Sequence, residues 1–273
     1  MATTTAPPPG VDPSPRAVAR VGRVISGFAV TYRRTWRGSV VSSFLTPVLF
    51  LLAMGVGLGD LVDQHRSGGL HGLSYLSFVG TGLLAATAMQ MAAVESTWPV
   101  MAGIKWRKGY HAMLAAPITV RDIVHGHLAW CAIRLLVTSS IFLVVLTCFG
   151  VLDSPWGILA VPAATLTGLA FAAPVSAFAA TRENDRAFAS LMRFGILPMF
   201  LFSGTFFPID QLPSALQTVA MVTPLWHGVD LCRSLCLGDA GFVTSLGHVL
   251  YLAMWFAAGT IVAHWTFERR LVV

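Results

Sequence analysis

The sequence predicts an all-α polytopic membrane protein. It would have six transmembrane helices, an N-terminal amphipathic interfacial helix and a broken re-entrant hairpin between spans five and six. Three observations carry that prediction. Of the 273 residues, 55% are hydrophobic and only 11% charged, against roughly 25% charged in an average soluble domain. Charge-free or nearly charge-free runs recur along the chain, at the length of about 20 residues that one crossing needs. Basic residues gather in alternate intervals between those runs, the pattern by which cytoplasmic loops are recognised. This composition excludes an ordinary water-soluble enzyme. On so apolar a chain the net charge of +6 speaks to membrane topology and not to nucleic-acid binding.

The elements follow in order. Residues 1–15 hold five prolines and almost nothing to pack, which predicts a disordered tail, and no cleavable signal precedes the first long apolar run. Over residues 16–37, Val21, Ile25, Phe28, Tyr32 and Trp36 recur at helical spacing among six arginines. That stripe predicts an amphipathic helix lying on the membrane surface. Residues 38–59 contain no charge and form span one. A polar loop with Asp60, Asp63, His65 and Arg66 leads to span two, residues 73–94, which ends at Glu95.

Residues 98–121 carry Lys105, Arg107, Lys108 and two prolines, and are expected to be a loop with local helix. Thr119 and Asp122 fit the pattern in which a hydroxyl and a carboxylate three residues apart satisfy the free N–H groups of a helix start. Span three should open there and run to Phe149 with Arg134 inside it. Residues 156–180 form span four, 181–186 a charged turn, and 187–206 span five with Arg193 near its start. Residues 207–238 are apolar but broken by Pro208, Pro213 and Pro224 and punctuated by Asp210, His227, Asp230 and Arg233. A re-entrant hairpin of short helices suits that stretch better than a straight crossing. Residues 240–267 form span six, followed by Glu268, Arg269 and Arg270.

Six crossings place both termini on one side, with the intervals after spans two and four. Fourteen Lys and Arg fall on that side and two, Arg66 and Arg233, on the other. Both termini are therefore expected in the cytoplasm of a multi-pass cell-membrane protein, with the hairpin dipping in from outside.

Catalytic chemistry lacks candidates. There is no phosphate-binding G-x-x-x-x-G-K-S/T, no G-x-S-x-G and no H-E-x-x-H, and the four cysteines show no metal spacing. No catalytic residue, metal or cofactor is assigned to this chain. His125, His127, His248 and His264 offer a proton relay, although no carboxylate lies deep in a span to complete one. Arg134 is the intramembrane charge. It either pairs with a carboxylate or a helix C-terminus to fix packing, or faces a water-filled path. Glu95 and Arg193 lie nearer the cytoplasmic boundary, as gate residues or as interfacial anchors. The basic residues 105–108 can contact membrane lipid headgroups as readily as a protein.

The run Phe202-Ser203-Gly204-Thr205-Phe206-Phe207-Pro208-Ile209-Asp210-Gln211-Leu212-Pro213, followed by Pro224-Leu225-Trp226-His227-Gly228, resembles the C-terminal signature of ABC-2 type transporter permeases. The branch it looks most like contains nodulation lipo-oligosaccharide and daunorubicin-type exporters. Leu114-Ala115-Ala116-Pro117-Ile118 with Asp122-Ile123 is similar to that family's loop between spans two and three. The resemblance implies that residues 38–273 are one transmembrane domain, dimerising with a second copy or a homologous permease. Two copies of a separate ATP-binding subunit would supply ATP and Mg. It further implies that Lys105, Trp106, Arg107, Lys108, Leu114 and Pro117, with the N-terminal helix, couple to that ATPase. Phe206, Phe207, Pro208, Asp210, Pro213, Pro224 and Trp226 would shape the outer hairpin, while spans one, two and five border the path at the dimer seam. The expected function is outward movement of a lipid-linked glycan, lipo-oligosaccharide or amphipathic drug-like molecule. The alternative is an ATP-independent, proton-coupled transporter or a membrane scaffold.

Overall fold

The computed structural model describes residues 17–34, 36–58 and 73–272. The tail expected over residues 1–15 and the polar loop with Asp60, Asp63, His65 and Arg66 lie outside these. The regular elements among the described residues are helices. The chain opens with α1 (Ala17–Tyr32) and α2 (Trp36–Leu51), which continues as a π-helical stretch, Leu52–Leu58. The amphipathic helix thus closes at Tyr32, and Trp36 and Arg37 begin the next one.

Helix α3 (Tyr75–Met101) starts where the Ser74 side chain accepts the Ser77 N–H, and runs on as a π-helical turn, Ala102–Trp106. Span two therefore continues past Glu95, where the proline and the lysine had suggested a loop. Proline inside a helix costs ~3 kcal/mol or more, but Val100, Met101 and Ile104 bury their side chains on the same continuing face and offset that cost. The helix breaks at Lys108, whose φ of 50° is left-handed. The short α4 (Gly109–Leu114) follows.

Thr119 and Asp122 form the expected reciprocal cap on α5 (Val120–Cys148). A 3₁₀ turn, Pro155–Leu159, leads into α6 (Ala160–Ala180). Residues 186–202 are helical in three pieces: α7 (Arg186–Leu191), a π-helical turn Met192–Ile196, and α8 (Leu197–Phe202). A 3₁₀ turn, Ile209–Gln211, then α9 (Ser214–Val222) and α10 (Pro224–Leu237) make up the broken segment. Each proline sits at a helix start, where its missing N–H costs nothing. The long α11 (Phe242–Leu271) completes the fold.

Among the described residues, four helices are long and apolar enough to cross a membrane: Tyr75–Trp106, Val120–Cys148, Pro155–Ala180 and Phe242–Leu271. The stretch Phe44–Met54 is apolar but shorter. Helices α3 and α6 form the centre, with α6 packed chiefly between α3 and α11. Gly228 of α10 lets that helix approach α6 closely, because a Cβ there would stand 2.3 Å from Thr167 Oγ1. Helices α5 and α11 instead turn Val137, Val144, Leu250 and Ile261 outward. Such surfaces suit lipid, which solvates apolar side chains as well as a core does.

Candidate translocation and coupling site

At the end of the bundle near residue 95, α3 and α5 bring Glu95 and Arg134 into an ion pair. Both side chains are less than one-fifth exposed, at 18% and 16%. The Arg134 guanidinium also stands 4.6 Å over the Tyr32 ring of α1. Of the two readings open for Arg134, the geometry contains the carboxylate partner. Helix α1 is fastened along α5: Arg20 Nε donates to Asp122 Oδ2 at 2.8 Å, Val24 is fully buried, and Phe28 stacks on Trp130 at 6.3 Å. Arg193 stands apart on the π-helical turn, exposed, with no ion pair among the described residues.

The basic segment after α3 divides. Lys105 Nζ donates to the Glu183 carbonyl at 2.6 Å and lies 3.4 Å from its carboxylate. The same carboxylate pairs with Arg270 at the end of α11. Arg270 chiefly, with a smaller part from Lys105, holds the Glu183 carboxyl down at about 2 against desolvation, which pulls the other way. One exposed acid thus ties together the ends of α3, α6 and α11. Trp106, Arg107 and Lys108 remain exposed beyond this tie. Leu114 is half-buried at the end of α4, and Pro117 is exposed before α5.

At the other end, Phe206 packs on Phe50 of α2 and Phe200 of α8, with centroids 5.9 and 5.1 Å apart. Phe207 is half-buried, Pro208 and Pro224 buried, and Asp210 and Pro213 exposed. Pro208, Asp210, Trp226, Asp230 and Arg233 border a cavity of about 600 Å³. Arg233, expected as an outer loop charge, turns inward. It donates to the Phe78 and Gly204 carbonyls at 3.1 and 2.8 Å and lies 3.8 Å over the Phe78 ring.

Sequence reasoning passed over two arrangements. One is the Glu183 tie. The other is a polar cluster in which His227 Nδ1 and His248 Nδ1 stand 2.8 Å apart, and His248 Nε2 lies 3.0 Å from Asp230 Oδ2. Tyr251 stacks on His227 at 3.9 Å. Two imidazole nitrogens at that distance share one hydrogen, one ring donating and the other accepting. The available signal was spacing: His227, Asp230 and Arg233 fall three apart, on one face of α10.

A helical bundle with four apolar helices of membrane-crossing length, a basic segment at one end and a proline-broken stretch at the other has the architecture of a polytopic membrane protein. The chain belongs to the ABC-2 type transporter family, whose model matches residues 24–237. It is 31% identical over 210 residues to Nodulation protein J of Rhizobium meliloti strain 1021, covering 77% of this chain and 78% of that one. It is 30% identical to Nodulation protein J of Rhizobium leguminosarum bv. viciae over 243 residues, covering 89% and 92%. Inner membrane transport permease YadH of Escherichia coli K12 is 22% identical over 235 residues, covering 82% and 88%. Permeases of this family pair with a separate ATP-binding subunit.

Proposed function

We propose that the chain is the transmembrane subunit of an ATP-driven exporter, acting in the cell membrane with both termini cytoplasmic. Two copies of a partner ATPase hydrolyse MgATP. A second copy of this chain, or a homologous permease, completes the path. In this reading residues 38–59 and 187–206 supply the fifth and sixth crossings, the latter through its three-piece helix, and residues 207–238 re-enter from outside. The cargo class is a lipid-linked glycan, a lipo-oligosaccharide or an amphipathic drug-like molecule, in keeping with the relatives named Nodulation protein J.

The observation that carries the reading is the exposed basic segment that leads into α4. This one-and-a-half-turn helix stands at the end of the central helix α3, flanked by exposed Trp106, Arg107 and Lys108 and followed by exposed Pro117. Its support is fastened to α6 and α11 through Glu183. A push delivered there by a closing ATPase reaches the bundle without being absorbed by a slack loop. Glu95, Arg134 and Arg193 serve as path or gate residues. The outer residues Phe206, Phe207, Pro208, Asp210, Pro213, Pro224 and Trp226 shape the exit.

Affinity purification of the tagged chain from native membranes tests this, with partner identification and an ATPase assay on the eluate. A stoichiometric P-loop ATPase with vanadate-sensitive turnover is expected. A chain that purifies alone and inactive across several detergents would defeat the reading. The His227–His248–Asp230 cluster is the observation favouring proton-coupled transport, which predicts cargo movement that persists without ATP and stops when the proton gradient is collapsed.

A further inference from the structure

A second cavity, of about 480 Å³, lies where α1, the end of α3, α4 and α5 meet. That volume falls within the range of about 300–1,000 Å³ that holds a ligand of drug size. Its walls are aromatic: Phe28, Tyr32, Trp98, Trp106, Tyr110 and Trp130 line it. Rings of this kind collect at the membrane–water boundary, where one edge is apolar and the other wet.

Its polar groups are few and uneven. The Glu95 carboxylate lines one side but is engaged by Arg134. Arg107 stands on the lining with its guanidinium in no ion pair among the described residues, so the cavity keeps a net positive charge. The Tyr110 side chain is 1% exposed, and its hydroxyl is buried without a hydrogen-bond partner. A native interior rarely leaves such a group unsatisfied. The ring is also deliberately accommodated, because a Cβ at Gly103 would stand 2.6 Å from it.

We infer that this cavity binds an anionic phospholipid, with the headgroup phosphate against Arg107 and the first part of an acyl chain between the aromatic walls. The Tyr110 ring, 1% exposed, closes the inner wall. Basic pockets between membrane helices on the cytoplasmic side select anionic headgroups in this way. A zwitterionic lipid brings its own cation towards Arg107, and a free phosphate leaves the aromatic walls unfilled. The site shares Trp106 and Arg107 with the proposed docking surface, but lipid retention by the isolated chain is read without cargo or ATPase, so its test is separate from that of the transport reading.

The experiment is native mass spectrometry of the delipidated full chain. It is titrated with dioleoyl phosphatidylglycerol, with dioleoyl phosphatidylcholine and with inorganic phosphate. One phosphatidylglycerol per chain is expected, retained about tenfold more tightly than phosphatidylcholine, a difference of about 1.4 kcal/mol, and not displaced by inorganic phosphate. Arg107→Gln should cut that preference about fivefold, the weight of one basic residue near an anionic surface. Gly109→Phe should block binding by filling the cavity, since a side chain at Gly109 meets open space. Equal retention of the two lipids, wild-type binding by both Arg107→Gln and Gly109→Phe, or displacement by inorganic phosphate would each overturn the assignment.

Discussion

Glu95 and Arg134, 39 residues apart in the chain, meet as an ion pair between the central helix and its neighbour, under the Tyr32 ring of the N-terminal helix. Three elements are thereby joined at one point near the basic end of the bundle. Neither charge is fully buried, and each is accommodated because the other is present.

Removing one member should cost more than removing both. Arg134→Leu leaves the Glu95 carboxylate, 18% exposed, without its partner; breaking a buried pair costs about 3–5 kcal/mol, and this partly buried one should cost less. We expect a clear fall in Tm for the single variant in detergent. More than half of that loss should return in Arg134→Leu combined with Glu95→Gln. If the single and double variants melt together, the pair does not carry this interaction.

The Glu183 tie has a pH window. Its carboxyl is held below the ordinary 4.5, at about 2, by Arg270 first and Lys105 second. Folding therefore favours the ionised form. The contribution is complete above 4.5 and is lost as pH falls through about 2. The group is exposed, so its removal should leave global stability almost unchanged. Hydrogen-exchange protection over residues 102–108, corrected for the intrinsic pH dependence of amide exchange, should nonetheless fall in Glu183→Gln, and in the wild type as the medium is acidified through that window. Unchanged exchange in both cases would count against the tie.

Charge reversal at Lys105, Arg107 and Lys108 should weaken ATPase association about tenfold, or about 1.4 kcal/mol, while the helical circular dichroism is preserved. Lys105→Glu alone should act partly through the loss of Glu183. Swapping charges in Lys105→Glu with Glu183→Lys would then recover part of the effect. Wild-type coupling in the triple variant would remove this segment from the docking surface.

At the opposite end, Gly228→Ala should destabilise by about 1–3 kcal/mol, the usual cost of overpacking, because the new Cβ would stand 2.3 Å from Thr167 Oγ1. Thr167→Ala removes two of the three close atoms and should partly rescue it. A Gly228→Ala chain with wild-type Tm would show that α10 has room to move away from α6.

Much of this fold is legible in sequence because lipid is an unforgiving solvent. Four long helices stand where the apolar runs of spans two, three, four and six fall, and the Thr119–Asp122 cap is read directly from spacing. The continuation of α3 past Glu95 was hidden, since Pro99 and Lys105 both read locally as a helix end, while the burial of Val100 and Ile104 is a tertiary fact. The Glu183 contacts span 78 and 87 residues and leave no local pattern. Arg233 could be counted as a loop charge from its neighbours alone; only the fold supplies the two carbonyls and the ring that receive it.

The two lysines of this chain, Lys105 and Lys108, are three residues apart yet differently situated, one clasped by Glu183 and the other exposed at a left-handed turn. Lysine-directed acylation is therefore a local reporter, blind to the remainder of the bundle's side chains. Lys108 should react first in the isolated chain, and Lys105 should quicken when the clasp opens. Shielding of Lys108 alone would mark the arrival of a docking protein, so one peptide's labelling pattern would follow both events in an intact membrane.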